Sequence, residues 1–332
     1  STDLISFGNR QLLYFTLGVN YAIAGQNVWG YHLFNLILHL INGILILFVA
    51  MAILRQVIGD EKLIRWYAIL AAGIFLTHPV QTESVTYISS RSELLSTFFY
   101  ILAFLVFIKV PHRWIGLLLS LIVAALFTLG MSAKETILSL PGALFAYDFI
   151  FISKGRFRPM LSRWKFYSVF VAGGTAVGYY LVTGPLSGAV GTGLAGHLSV
   201  TEYFLTQLRV IVRYIRILFF PVGLNLDYDI VPSTSVLELG VLASLATLLA
   251  IVFLAWRSRF RFPVVSFSIF WFFITLAPTS SFMPITDVMF EHRLYLPMVG
   301  LCLSFPIAVG ALFRFVNDRF GLNVRAIPVG AT

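Results

Sequence analysis

Charge is scarce in this chain of 332 residues. Asp, Glu, Lys and Arg together make up 11%, where soluble globular proteins carry about 25%. So few ions cannot solvate the surface of a soluble domain, and that class is excluded. Cysteine is scarcer still. Cys302 stands alone in an apolar run, so the chain can form no internal disulfide and no thiolate metal site. The alternating ten-residue segments of a transmembrane barrel are missing, and so are heptads and structural repeats. Apolar side chains are abundant instead: 59% hydrophobic, 16% aromatic, with a mean hydropathy of +0.90. That excess excludes disorder. Runs of about 20 apolar residues broken by short basic loops predict an all-α fold, a polytopic membrane helical bundle.

Nine spans are expected, over 33–54, 65–80, 94–110, 113–131, 136–152, 165–183, 235–256, 262–278 and 295–315. The second is short for a bilayer about 30 Å thick. The stretch 201–220 is also apolar, but Arg209, Arg213 and Arg216 fall on one helical face. Three arginines in mid-membrane would cost roughly 2.5–3.5 kcal/mol each. An amphipathic helix lying at the interface is expected there, after a Gly-rich loop at 184–196. The chain thus divides into an extracytoplasmic or interfacial segment (1–32), six membrane helices (33–183), an outer loop with the amphipathic helix (184–234), and three helices with a tail (235–332).

The net charge of +9 is a topology signal rather than a nucleic-acid signal. Sixteen of the 23 basic residues fall in one alternate set of loops, with only four of the 14 acids. Excess Lys and Arg mark the cytoplasmic side. The residue-1 end is therefore expected outside and the C-terminus inside, in a multi-pass protein of the bacterial cytoplasmic membrane. A chain that begins outside, with Ser and no apolar leader, implies a helix and outer loop upstream of Ser1. The tail from Val324 ends without domain-ending logic, which implies more chain there too.

With this topology the unusual polar residues gather near the outer helix ends. One group runs from His78-Pro79 through Glu83 to Arg91-Ser92-Glu93, and three ionisable groups at a membrane-level turn are costly unless they bind something. A second is Lys134-Glu135, where a lysine suits a lipid phosphate as a point charge. A third, Asp227-Tyr228-Asp229, has a spacing that leaves a divalent metal open, although no metal set can be assigned. The fourth is Asp287 with Glu291-His292-Arg293. Arg10, Asn20, Tyr31, His32 and Asn35 add polar groups near the start. His39 and Asn42 lie deeper and suit interhelical hydrogen bonds.

The chain resembles the GT-C superfamily of glycosyltransferases, and within it the transmembrane O-mannosyltransferases that carry TPR repeats and their bacterial relatives. The likeness rests on stretches in family order from Arg10 to Gly300. They are Arg10-Gln11-Leu12, Leu17-Gly18-Val19-Asn20-Tyr21, Gly30-Tyr31-His32-Leu33-Phe34-Asn35 with His39, and His78-Pro79-Val80 with Thr82-Glu83. Arg91-Ser92-Glu93-Leu94-Leu95, Lys134-Glu135, Phe220-Pro221 and Glu291-His292-Arg293-Leu294-Tyr295-Leu296-Pro297 follow. The resemblance implies transfer of a sugar from a polyprenyl-phosphate carrier to a hydroxyl of a protein or glycan, on the extracytoplasmic side, with no cofactor required. It also implies that the family's catalytic acid lies upstream, in a first outer loop before the Arg10 motif; the chain departs from the family pattern in that no TPR repeats follow its last span. Relatives of the animal enzymes often read Glu-Arg before Leu-Tyr; here His292 takes that place and Arg293 follows.

Such chemistry needs a carboxylate to activate the acceptor and cations for the departing phosphate. Glu83 and Glu135 are the visible catalytic candidates. Arg91, Lys134 and Arg293 are the phosphate candidates, with the Arg209, Arg213 and Arg216 stripe as second choice. Tyr31, His32, His78, Glu291 and His292 are candidate sugar or substrate contacts. Partners are membrane lipid, the polyprenyl-phosphate carrier, an acceptor, and room for other membrane subunits. Two alternatives stand beside this reading: a non-catalytic subunit of a larger assembly, and a polysaccharide polymerase, ligase or flippase.

Overall fold

A computed structural model describes residues 10–110, 117–170, 198–280 and 288–320. Much of the predicted span 165–183, the whole Gly-rich stretch 184–196, Asp287 and the tail beyond 320 lie outside those residues. The described residues are helical and contain no strand. In chain order the α-helices are α1 (Gln11–Ala24), α2 (Val28–Leu54), α3 (Glu61–Thr77), α4 (Thr82–Thr86), α5 (Arg91–Lys109) and α6 (Leu117–Met131). Then come α7 (Leu140–Tyr147), α8 (Phe157–Leu161), α9 (Val200–Phe219), α10 (Leu239–Ser258), α11 (Pro263–Leu276) and α12 (Met298–Phe320).

Five helical stretches are long and apolar enough to cross a bilayer: Val28–Leu54, Ile88–Lys109, Glu135–Ile152, Leu239–Ser258 and Met298–Asn317. The chain is therefore a multi-pass membrane protein. A sixth candidate is the pair Glu61–Thr77 and Pro79–Thr86, bent by 51° at its break. Pro79 causes the bend, because a proline cannot continue the preceding helix and drives His78 to extended backbone (φ −69°, ψ 130°). Two further predicted spans survive only as shorter helices, α6 with 15 residues and α11 with 14. At 1.5 Å per residue these reach about 21–23 Å, short of the hydrocarbon core. The expected count of nine is thus not reached among the described residues.

The core is apolar and rich in rings. α2 packs on α3 and α5, and α12 on α3 and α11. Midway along the bundle the rings of Tyr100, Phe104, Tyr147, Phe267 and Trp271 are fully buried. They meet edge-on or stacked, with centroids 5.0 Å apart for Phe104–Trp271, 5.3 Å for Tyr100–Trp271 and 5.6 Å for Phe104–Tyr147. Each such pair adds roughly 0.5–1.5 kcal/mol beyond its buried area.

α9 matches the predicted amphipathic helix. A capping box opens it, the Ser199 side chain accepting from the Glu202 main chain while Glu202 accepts from Ser199 N–H. Its buried face includes Tyr203, Leu208, Tyr214 and Ile217, and Arg216 is exposed. Tyr203 donates to Thr279 O (3.0 Å), Gln207 to Val288 O (2.8 Å) and Tyr214 to Phe290 O (2.9 Å). These bonds fasten α9 to the segments on either side of residues 281–287.

Candidate functional site

Elements distant in sequence meet at one end of the bundle. The bend at Pro79 turns the chain into α4, which carries Glu83. A short helical turn, Glu291–Leu294, precedes α12 and carries Glu291, His292 and Arg293. The Glu83 carboxylate accepts two bonds from His292: from ring Nδ1 at 2.5 Å and from the main-chain N–H at 2.9 Å. Glu83 is buried, and the His292 side chain is 16% exposed. A carboxylate oxygen accepts from Nδ1–H, and with the proton held on that nitrogen the tautomer of an unprotonated ring has its lone pair on Nε2. Phe290 stacks on the imidazole at 4.9 Å, which fixes the ring plane.

The adjacent Glu291 is held independently. Its Oε1 accepts from Asn225 N–H at 2.6 Å and from the Tyr228 hydroxyl. Gly223 lets the chain make this turn, since its φ of 73° lies in the left-handed region that side chains disfavour. The Arg213 guanidinium lies over the Tyr228 ring, 4.7 Å from its centroid. Arg213, Tyr228, Glu291, His292 and Glu83 therefore form one continuous string of contacts. Burial pushes the Glu291 carboxyl above the usual carboxylate range, and the Glu83 charge pushes the same way. Burial and the bond to Glu291 raise the Tyr228 hydroxyl as well.

The raised Glu291 value has a consequence for stability. The folded state holds the proton more tightly than the unfolded chain, so this contribution is complete at low pH and is lost as pH rises through the folded value. Thermal unfolding midpoints of the detergent-solubilised protein should fall over that rise. The Glu291→Gln variant should show a flatter profile over the same pH range.

The other predicted residues fall around this string, most of them engaged with the protein itself. Both ring nitrogens of His78 are used: Nδ1 accepts from Val80 N–H (3.2 Å), leaving Nε2 to donate to Leu218 O (3.1 Å). Arg91 is fully buried. Its Nε donates to Asn35 Oδ1 (2.9 Å), one terminal nitrogen to Asn20 Oδ1 (2.6 Å) and Thr16 O (3.1 Å), and the other to Tyr31 O (3.2 Å). It also sits over the Phe34 ring at 4.3 Å. Tyr31 is half-buried and donates to Gly25 O (3.0 Å), whereas His32 is exposed. Arg293 is buried and donates to Thr279 O (3.3 Å) and Val288 O (3.2 Å). Glu135 pairs with Arg10 at 3.2 Å, both side chains 40% exposed, an arrangement worth at most about 1 kcal/mol. Deeper in the bundle, His39 and Asn42 both bond the Tyr295 hydroxyl, at 2.8 and 3.2 Å. Asp227 and Asp229 are exposed, and no group of three or more metal-ligating side chains occurs among the described residues.

Lys134 forms a buried ion pair with Glu93, the two side chains being 7% and 2% exposed. Removing one partner of such a pair leaves an uncompensated charge, at a cost of about 3–5 kcal/mol. Lys134→Met should lower unfolding stability by that order, and the double variant Lys134→Met/Glu93→Met should recover most of it. Denaturant titration of the purified variants measures both values.

Tyr228 and Asn225 complete the site without a role assigned to them from sequence, and Arg213 enters it from the arginine stripe that stood as second choice for the phosphate. Nothing local in the sequence links residue 228 to residue 291.

An all-helical membrane bundle with a cluster of buried, hydrogen-bonded ionisable side chains at one end is the class of protein these features define. Among curated proteins the chain is similar to Protein O-mannosyl-transferase TMTC3 of Homo sapiens, 31% identical over 157 residues, 46% of this chain and 16% of that protein. It is 34% identical to Protein O-mannosyl-transferase Tmtc2 of Drosophila melanogaster over 146 residues, 41% of this chain and 14% of that one. Protein O-mannosyl-transferase F38B6.6 of Caenorhabditis elegans matches over 307 residues at 26% identity, 89% of this chain and 41% of that protein. The chain spans less than half the length of each of these relatives. The resemblance carried by the sequence motifs is therefore to proteins named O-mannosyl-transferases. No protein-family model and no solved structure matches the chain.

Proposed function

We propose that this chain is the membrane portion of a glycosyltransferase that moves a sugar from a polyprenyl-phosphate carrier to a protein hydroxyl on the extracytoplasmic side. The observation that carries the reading is the Glu83–His292 pair, one residue away from the Glu291–Tyr228–Arg213 string. His292 Nε2 takes the proton of the acceptor hydroxyl while Glu83 steadies the resulting imidazolium. The hydroxyl oxygen then bonds to the anomeric carbon as the bond from that carbon to the phosphate oxygen breaks, and the lipid phosphate leaves as an anion.

Arg213 meets that anion better than the buried cations do. It is half-exposed, and its guanidinium has no hydrogen bond or ion pair among the described residues. Arg91 and Arg293, which donate to neutral oxygens, serve the same anion from behind as fixed positive charge, whereas Lys134 is neutralised by Glu93 and contributes through that pair. Tyr31, His32 and His78 line the approach, and Glu135 stands as the second carboxylate. The four-part division of the chain, the residue-1 end outside, the C-terminus inside and placement in a bacterial cytoplasmic membrane complete the proposal. The names of the relatives support protein as the acceptor.

The test is transfer by the purified full-length protein, using radiolabelled polyprenyl-phosphate mannose and peptides bearing Ser or Thr. Labelled peptide is the expected result. A second reading, a non-catalytic subunit that keeps this fold as scaffold, draws on the burial and internal bonding of Arg91, Lys134 and Arg293. Absence of transfer with donor and acceptor both present, from folded protein, would favour it.

A further inference from the structure

At the opposite end of the bundle a groove of about 460 Å³ opens between α8 and residues 164–168, lined by Phe145, Phe157, Met160, Leu161, Trp164 and Tyr167. Phe157, Leu161 and Trp164 are 59%, 70% and 60% exposed, so the lining is apolar and open to the surroundings. Its frame is rigid. The buried Asp148 carboxylate accepts from Ser153 (2.7 Å), Tyr167 (2.7 Å) and Arg163 (2.5 Å). Phe149 stacks between Phe157 and Trp256, at 5.1 and 5.8 Å. A side chain at Gly155 would meet the Phe260 ring, its Cβ lying 2.3 Å from the ring. These contacts bring the α10–α11 connection against the groove.

The rim is strongly basic. Lys154, Arg156, Arg158 and Lys165 are exposed around α8, and Arg257 and Arg261 are exposed on the connection. Arg259 lies over the Trp256 ring at 4.0 Å. Between residues 148 and 170 the one acid is Asp148, which is buried and already holds Arg163. Between 239 and 263 there is none.

We infer that this groove binds an anionic glycerophospholipid, an acyl chain lying on the Phe157–Leu161–Trp164 surface and the phosphate meeting Arg156, Arg158 and Lys165. Uniform basic charge beside an apolar channel complements such a lipid in both parts, and each Lys or Arg near an anionic headgroup adds to its retention. This site stands apart from the proposed sugar-transfer site and does not depend on it.

Native mass spectrometry of the delipidated full-length protein, titrated with phosphatidylglycerol or with phosphatidylcholine of the same chains, tests the inference. Phosphatidylglycerol should be retained preferentially. The Arg156→Ala/Arg158→Ala/Lys165→Ala variant should lose roughly fivefold in that affinity per cation, about a hundredfold in all. Trp164→Ala should weaken both lipids. Lys62→Ala/Arg65→Ala, exposed cations at the same end but away from the groove, should change nothing. Equal retention of the two lipids by the parent protein, or an equal effect of the Lys62/Arg65 variant, would overturn the site. The triple variant replaces exposed side chains, and an unchanged melting temperature verifies its fold.

Discussion

Replacing His292 with alanine in the full-length protein is expected to lower sugar transfer by about two to four orders of magnitude, the usual contribution of a positioned general base. Some stability should be lost as well, because the variant leaves the buried Glu83 carboxylate with only the main-chain N–H of residue 292, so transfer is compared at a temperature where unfolding curves show the variant to be folded. Glu83→Gln should produce a comparable loss for a different reason. The carboxylate accepts both from His292 Nδ1 and from His292 N–H. A glutamine amide has one accepting oxygen. With that oxygen on the main-chain N–H, its NH₂ faces Nδ1 and drives the ring proton to Nε2, the atom that must receive the acceptor's proton. Initial rates with saturating peptide measure both variants. Full activity in either one would remove His292 and Glu83 from the chemistry.

The second large effect concerns the fold. Arg91→Ala should destabilise the protein by on the order of 3–5 kcal/mol, because the variant strands four acceptors that the guanidinium now joins in the interior. Those acceptors belong to α1 and α2, while Arg91 begins α5. Arg91→Lys is the informative companion. A phosphate ligand would tolerate lysine in part, since charge is what it supplies. A guanidinium spread over four bonds would not, because an ammonium cannot reproduce the planar fork. Unfolding midpoints of both variants close to the parent value would show that the interior bonds of Arg91 carry little of the fold.

The membrane helices were legible in the sequence because long apolar runs such as 28–54 admit few other structures. The amphipathic nature of α9 was equally legible, since Arg209, Arg213 and Arg216 recur at helical spacing beside buried tyrosines. Span number was less so. Hydropathy alone does not reveal that Pro79 bends one span or that α11 is only 14 residues long. At the polar end, composition identified costly ions but not their partners. Glu83 and His292 are 209 positions apart, and only the packed bundle pairs them. Arg91 reads as a ligand in the sequence because a lone membrane-level arginine is expensive. The structure resolves that expense with Asn20, Asn35 and two carbonyl oxygens, residues that look incidental in the chain.

The buried rings of Tyr100, Phe104, Tyr147, Phe267 and Trp271 form a closely packed septum between the two ends of the bundle. A headgroup carried across the protein would have to part rings that lie 5.0–5.6 Å from one another. Such a barrier suits a protein whose two faces do separate work far better than one that serves as a conduit for sugar-lipids.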